Sequence, residues 1–537
     1  MKRWKLLLLC TTISSLLLTA CGNKGSNESA IQQKKVLRIA ETEEFTSIDP
    51  ATVVDGGSFI LANHVYEGLM RLNQDKKPVS GIAKDVKVSS DKRVYTFILR
   101  DAKWSDGKPI TAKDFEFGWK RMMKPETKSE YAYILFPIDK AEDFYRGKAK
   151  ENEVGVKAIN DQTLEVRLKA PMINFLDYTI LPAFLPQRED MIDKLKQDAL
   201  GHPDKIVYSG PFILKSAGQT KIVLTKNEKY WDAKNVNLDQ IDLNLLKDVS
   251  TGVNLYNSGQ VDIAPINNVF INKYKSSPDL VKAERATSIY MPMNVRSNRF
   301  TQNSNIRKAI THAYDRAVIA EKVLRDGSLP AYALVHPAIA GLENQSFRDA
   351  TKKELVTYDA AKAKEYLQKG LQELGMSKPP EKLTLITSNA YKDIASVIKE
   401  QLRVNLGLNI EIETPAPKAL DDRRERGDFD LTISAWGADY NDAMAYLELW
   451  NTHENKNSAG FKNEDFNKQV VQARQETDVK KRMEMLSQLE KMLVEDQAVL
   501  APIYYRYSVL LKKPYVKDYY THPIGADYSL RWTKLEK

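Results

Sequence analysis

Both cysteines of this chain, Cys10 and Cys21, fall within its first 21 residues. Everything after them must therefore fold without a disulfide, a thiolate-held metal or a cysteine nucleophile. Stability has to come from apolar cores and from size. At roughly 100 to 200 residues per domain, a chain of 537 residues is expected to form two or three. A hydrophobic content of 42%, with 25 Tyr, 16 Phe and 7 Trp, supplies material for their cores.

The start of the chain reads as an export signal. Lys2, Arg3 and Lys5 precede an apolar run from Leu6 to Leu18, shorter than the ~20 residues a spanning helix needs. It closes on Leu18-Thr19-Ala20-Cys21, which resembles the lipobox of bacterial lipoproteins. That resemblance implies a signal peptide over 1–20, cleavage before Cys21, and lipidation of that cysteine. The stretch 21–35 is polar and aperiodic and reads as a flexible tether. No later apolar run approaches spanning length. The formal net charge is +9; without Lys2, Arg3 and Lys5 it is +6. The basic residues are dispersed, with a local cluster at Arg423, Arg424 and Arg426, a pattern that argues against a nucleic-acid partner.

One later stretch offers a recognition surface. A short apolar strand, Phe429 to Ile433, runs into Ser434-Ala435-Trp436-Gly437-Ala438-Asp439-Tyr440-Asn441-Asp442. Leaving a sheet edge, this segment presents free backbone groups to an extended peptide. Gly437 and Ala438 admit a close backbone approach, and Asp439 is placed to meet a positive charge. The plainer reading is a strand-to-loop corner in which Asp439 caps a turn and Trp436 fills core. These residues alone leave both open.

The rest of the chain favours the first. Val36 to Ala40 reads as a strand, Ser47-Ile48-Asp49-Pro50 breaks it, and Phe59 to Leu69 reads as a helix ending Tyr66-Glu67-Gly68-Leu69. Val94 to Arg100 is a strand, and Trp104-Ser105-Asp106-Gly107-Lys108-Pro109 a turn. Thr111-Ala112-Lys113-Asp114 forms a capping box ahead of Phe115 and Trp119. Helical patterns follow at Asn305 to Leu324, Asp359 to Leu374, Asp393 to Leu406 and Val479 to Glu495, with strands such as Leu408 to Glu413 between them. Helices alternating with strands argue an α/β architecture.

Several of these motifs, together with Tyr230-Trp231-Asp232 and Asn257-Ser258-Gly259-Gln260-Val261-Asp262, are similar to those of the extracellular solute-binding proteins of oligopeptide and dipeptide ABC importers (family 5). The resemblance implies a two-lobed α/β fold with an extra domain and lobes joined by crossing segments. Residues 36–76 with 205–292 and 513–537 would form a discontinuous first lobe. Residues 77–204 would be a second domain packed on it, and 293–512 a second lobe carrying 434–442. It also implies function: a lipid-anchored subunit at the extracellular face that captures oligopeptides and passes them to permease and ATPase subunits. It would act as a monomer without a cofactor or metal. The site residues it implies are Trp436, Gly437, Ala438, Asp439 and Tyr440, with Asp439 receiving the ligand's α-ammonium. To these it adds Arg424 for ligand carboxylates, and Asn267, Asn268, Asn389 and Tyr391 along the cleft. Two positions depart from the family pattern: Ala443 stands where a proline is usual, and Ile433 where some members have a second basic residue.

Other readings are a binding protein for a dipeptide, a signalling peptide or a nickel chelate and, in a different class, a cell-surface hydrolase. No Gly-x-Ser-x-Gly, phosphate-cradling Gly-x-x-x-x-Gly-Lys or His-Glu-x-x-His occurs. The six histidines (His64, His202, His312, His336, His453 and His522) are too dispersed for a local metal-ligand spacing.

Overall fold

The computed structural model describes residues 34–296, 299–342, 345–351, 354–452 and 457–537. The expected signal peptide, Cys21 and nearly all of the tether lie outside the described residues. Among those residues no helix is long and apolar enough to cross a membrane.

The largest element is a nine-stranded sheet. Its eight main strands are β1 (Val36–Glu41), β2 (Phe212–Ala217), β3 (Lys221–Lys226), β4 (Gln240–Leu245), β5 (Ile263–Ile266), β6 (Leu280–Pro292), β7 (Ser434–Gly437) and β8 (Leu500–Lys512). They run in the order β7-β6-β8-β5-β1-β4-β3-β2, and the short strand Leu329–Pro330 pairs with β8. β1 is parallel to β4 and β5, whereas β2, β3 and β4 form an antiparallel meander. A separate four-stranded antiparallel sheet holds Ala83–Val88, Val94–Leu99, Thr163–Arg167 and Val156–Asn160, in that order. Against it packs the helix Ala112–Met123, which opens on the expected capping box, Asp114 accepting from the Thr111 amide at 2.7 Å. Phe115 and Trp119, one turn apart, are buried edge to face. A third, parallel sheet joins Ile410–Glu413, Leu383–Ile386 and Leu431–Thr432. The helix Lys392–Leu406 buries Ile394, Ile398 and Leu402 at helical spacing and stops at Gly407, whose φ is +68°.

β6 and β8 are 13 residues each, roughly 40 Å at a strand's rise per residue. They are long enough to serve two cores. Tyr290 and Leu510 belong to the core shared with β1 to β4, while Ile289, Met291, Ile503 and Tyr504 belong to the core under the third sheet.

Three sequence expectations change. The helix from Phe59 ends at Val65, not Leu69, because the chain at Gly210 crosses there. The Gly210 amide bonds the Val65 carbonyl at 2.9 Å, and a Cβ on Gly210 would lie 2.6 Å from the Tyr66 nitrogen. The span Asn305 to Leu324 splits into Ser304–His312 and a wider turn Val318–Leu324. Between them Arg316, fully buried, turns back to the carbonyls of Pro502 (2.8 Å) and Thr311 (3.1 Å). Lastly, the segment read as leaving a sheet edge is itself a strand. Leu431–Thr432 lies in the third sheet, and Ser434–Gly437 in the large one, so the chain changes sheets at Ile433.

Candidate ligand-binding cleft

β7 is the end strand of the large sheet and, among the described residues, pairs with β6 alone. Its free side can be read from the register. Gly437 faces Thr287, Trp436 faces Ser288, Ala435 faces Ile289 and Ser434 faces Tyr290. One step on, the Ala438 amide donates to the Ala286 carbonyl at 2.8 Å. In an antiparallel pair hydrogen-bonded and non-bonded positions alternate. Trp436 and Ser434 therefore turn their backbone groups inward to β6. Ala435 and Gly437 turn theirs outward, and both residues are exposed.

A bulge in β6 holds this edge in place. Glu284 faces Tyr507 and Ser288 faces Tyr505, so Arg285, Ala286 and Thr287 together oppose the single residue Arg506. The Ala286 carbonyl accepts from both the Ala438 amide and the Tyr446 hydroxyl (2.6 Å), and its amide donates to the Pro523 carbonyl at 2.9 Å. Arg285 reaches the carbonyls of His522 and Asp527 and pairs with the Asp527 carboxylate at 2.8 Å. The bulge thus gathers residues 434–446 and 522–527 around one point.

In front of them lies a cavity of about 330 Å³. Trp436, Gly437, Ala438 and Asp439 form one wall; Pro50, Val53, Gly56 and Phe59 contribute another. Met122, Tyr131, Ile134, Leu181, Pro182, Ala183, Arg285, Thr287 and, near the C-terminus, Pro523, Ile524, Gly525 and Asp527 complete it. Asp439 is half-buried and accepts the Tyr133 hydroxyl at 2.9 Å on Oδ2. Tyr131 stacks on Tyr133 with ring centres 5.7 Å apart. Burial, and then the Asp439 charge, push both phenols well above the usual tyrosine range, so they stay protonated donors around that carboxylate. A carboxylate with several lone-pair sites still has capacity for an ammonium.

The other expected site residues divide. Trp436 lines the cavity and is pinned by its indole N–H to the Ala445 carbonyl at 2.9 Å. Tyr440 sits in the core instead of on the wall: it stacks on Tyr178 at 4.2 Å and donates to Glu448 at 2.6 Å. Arg424 is engaged within the fold, donating to the Ile433 carbonyl (2.7 Å) and the Thr432 hydroxyl (3.2 Å), and so braces the point where the chain changes sheets. Asn267 caps the helix Asn268–Tyr274. Neither Asn267, Asn268 nor Asn389 lines the cavity, and all three are exposed. Tyr391 is half-buried and feels the positive charges of Arg506 and Arg424. At Ala443, φ is −61°, the value a proline would impose, so the turn keeps its shape without one.

Sequence reading missed Tyr131, Tyr133, the bulge and Pro523 to Asp527. The paired tyrosines of Tyr131-Ala132-Tyr133 were a signal, but only tertiary structure brings them to Asp439. Among the described residues, no three His, Cys, Asp or Glu side chains are grouped to hold a metal ion.

A model of the middle part of the bacterial extracellular solute-binding proteins, family 5, matches residues 77–458. The chain belongs to this family. It is 34% identical over 528 residues to the oligopeptide-binding protein OppA of Bacillus subtilis, covering 94% of each chain. To the dipeptide-binding protein DppE of the same organism it is 32% identical, covering 95% of this chain and 94% of that one. Among solved structures, Listeria monocytogenes OppA bound to peptide superimposes with a TM-score of 0.78 at 31% identity, covering 94% of this chain and 100% of the other. The family member described here therefore has the two-lobed α/β fold of these solute-binding proteins, as the motifs implied, and its family is one of binding proteins, not of enzymes.

Proposed function

We propose that this protein is the substrate-binding subunit of an ABC importer that takes oligopeptides by their backbone and free N-terminus. One observation carries the reading: the edge of β7 that no described strand covers borders the cavity and leads, two residues on, to Asp439, which has the Tyr133 and Tyr131 phenols beside it. An extended peptide added to that edge gains main-chain hydrogen bonds from Ala435 and Gly437, and its α-ammonium meets Asp439. Its relatives, among them an oligopeptide-binding protein and a solved structure bound to peptide, support peptide as the ligand class. We further assign Cys21 as a lipid anchor, which holds the subunit at the outer face of the membrane beside permease and ATPase subunits. The lobes, 36–76 with 205–292 and 513–537 on one side and 293–512 on the other, hinge through β6 and β8 and close on the ligand because it bonds both.

The test is to purify the protein under native conditions, denature it, and identify released ligands by mass spectrometry, then titrate recovered sequences by calorimetry. Peptides with free N-termini are expected. Recovery of no peptide, together with no heat from a diverse peptide mixture, rejects the proposal.

A further inference from the structure

β8 carries an arginine in the middle of an otherwise aromatic and apolar run, Tyr504-Tyr505-Arg506-Tyr507. Side chains alternate along a strand, so its face can be assigned. The Tyr505 hydroxyl bonds the Ala333 carbonyl, Ser288 opposite it bonds the Leu334 carbonyl, and both Tyr505 and Tyr507 pack on His336. Tyr504 and Arg506 therefore project from the other face, the one on which Thr287 lines the cavity. Tyr504 is buried opposite Ile289. Arg506 falls opposite the bulge, where β6 arches away, and is exposed.

The neighbouring arginines are committed. Arg285 holds Asp527 and two carbonyls; Arg424 holds the Ile433 carbonyl and Thr432. The Arg506 guanidinium makes no hydrogen bond or ion pair among the described residues. It acts at longer range on Asp527, which lines the cavity, and on Glu43, Tyr391 and Tyr504. An exposed guanidinium fork with a phenol nearby suits a carboxylate, which it can bind through two parallel N–H bonds. Its place relative to Asp439 follows from sheet geometry. Two strand spacings separate β7 from β8, and Asp439 lies two residues past Gly437. That puts the two backbones about 12 Å apart, the span of about three to four extended residues.

We infer that Arg506 gives the cleft a carboxylate-selecting subsite, so that peptides bearing a negative charge about three to four residues from an N-terminus held at Asp439 are preferred. The inference rests on the peptide reading above and deepens it. Two sources supply the same chemistry: an Asp or Glu side chain, or the C-terminus of a short peptide.

Calorimetry with the full mature chain separates them. One series is alanine tetrapeptide amides with a single Glu, or its neutral isostere Gln, moved through positions two to four. The other is alanine tri- and tetrapeptides as free acids against their amides. In at least one pair the charged form should bind wild type about tenfold more tightly, the scale of a charge-assisted contact in a partly desolvated cleft. Arg506→Gln should bring that ratio close to 1, and Arg506→Lys, which keeps the charge but not the fork, should retain part of it. The series in which the ratio appears identifies the source. Wild type that binds the peptides without discriminating charge, or a ratio that survives Arg506→Gln in protein with a normal melting curve, overturns this inference alone. Wild type that binds none of the peptides overturns the peptide reading and the inference together.

Discussion

Residues 434–439 and 440–446 are adjacent in sequence and opposite in character. The first half lies along a sheet edge, exposes Ala435 and Gly437, and brings Asp439 to the cavity. The second half sinks into the core. Tyr440 is stacked on Tyr178, and Asp442, 8% exposed, is gripped by Arg482 at 2.6 and 3.0 Å while its Oδ1 caps the Met444 amide at 2.8 Å. Two aspartates three positions apart thus do unlike work. One is placed among hydroxyl donors where a ligand can reach it; the other has its charge matched by a buried guanidinium. What separates them is not residue type but placement: Asp439 borders the cavity, and Asp442 is held by Arg482 in the core.

The largest test of that contrast is Asp439→Asn. Removing one partner of a desolvated pair costs about 3 to 5 kcal/mol, or on the order of 100-fold to a few thousand-fold in affinity for a peptide with a free N-terminus. N-acetylating the peptide should weaken wild type comparably. The two changes together should cost less than their sum, because they delete one interaction. Calorimetry on the four combinations decides it; strictly additive losses would put the ammonium elsewhere. Melting should barely move.

Asp442→Asn should do the reverse. It leaves Arg482 buried without its counter-charge, at a cost of about 3 kcal/mol in stability, read by denaturant unfolding. Peptide affinity of the folded fraction should stay within a few-fold of wild type. A large affinity loss with unchanged stability would erase the distinction drawn here.

A smaller effect is confined to the core half. Asp177, beside Asp442, has its carboxyl pushed up from 3.8 to about 7, by burial first and the Asp442 charge second. A raised carboxyl favours folding while protonated, so its contribution is present below about pH 4 and is lost as pH rises through about 7. Asp177→Asn cannot titrate. Its melting temperature relative to wild type should therefore rise between pH 4 and pH 8, and the swing should shrink in an Asp442→Asn background. A difference that is flat with pH would mean that Asp177 is not held protonated.

How much of this was legible beforehand depended on range along the chain. Amphipathic helices and one cap were readable because their physics is local: Thr111 with Asp114 forms its box, and Lys392–Leu406 buries its apolar stripe. The motif singled out Asp439, and the structure places it on the cavity wall. The failures are all long-range. Nothing near Asn305 announces that Arg316 will fold back on Pro502 and end the helix. Nothing near Tyr133 announces Asp439, 306 positions away. Tyr440 belongs to the motif yet faces the core, because past the end of β7 it is stacked on Tyr178, far away in sequence, and bonded to Glu448.

The finest test reaches the backbone itself. If peptides extend the sheet at β7, the outward amide of Ala435 is a donor to the ligand and to nothing else in the ladder. Proline is tolerated on an edge strand where its missing N–H faces away from the neighbour. Ala435→Pro should therefore leave melting nearly unchanged and weaken peptide binding by about 1 kcal/mol, roughly fivefold, the net worth of one hydrogen bond. Ser434→Pro, one residue earlier, removes an amide turned inward to Tyr290, and should lower melting more than affinity. Equal effects at the two positions would mean that the free edge of β7 is not where the ligand lies. The reversed pattern, binding lost at Ser434 and melting at Ala435, would mean that the strand's register, and with it the outward pair Ala435 and Gly437, is shifted by one.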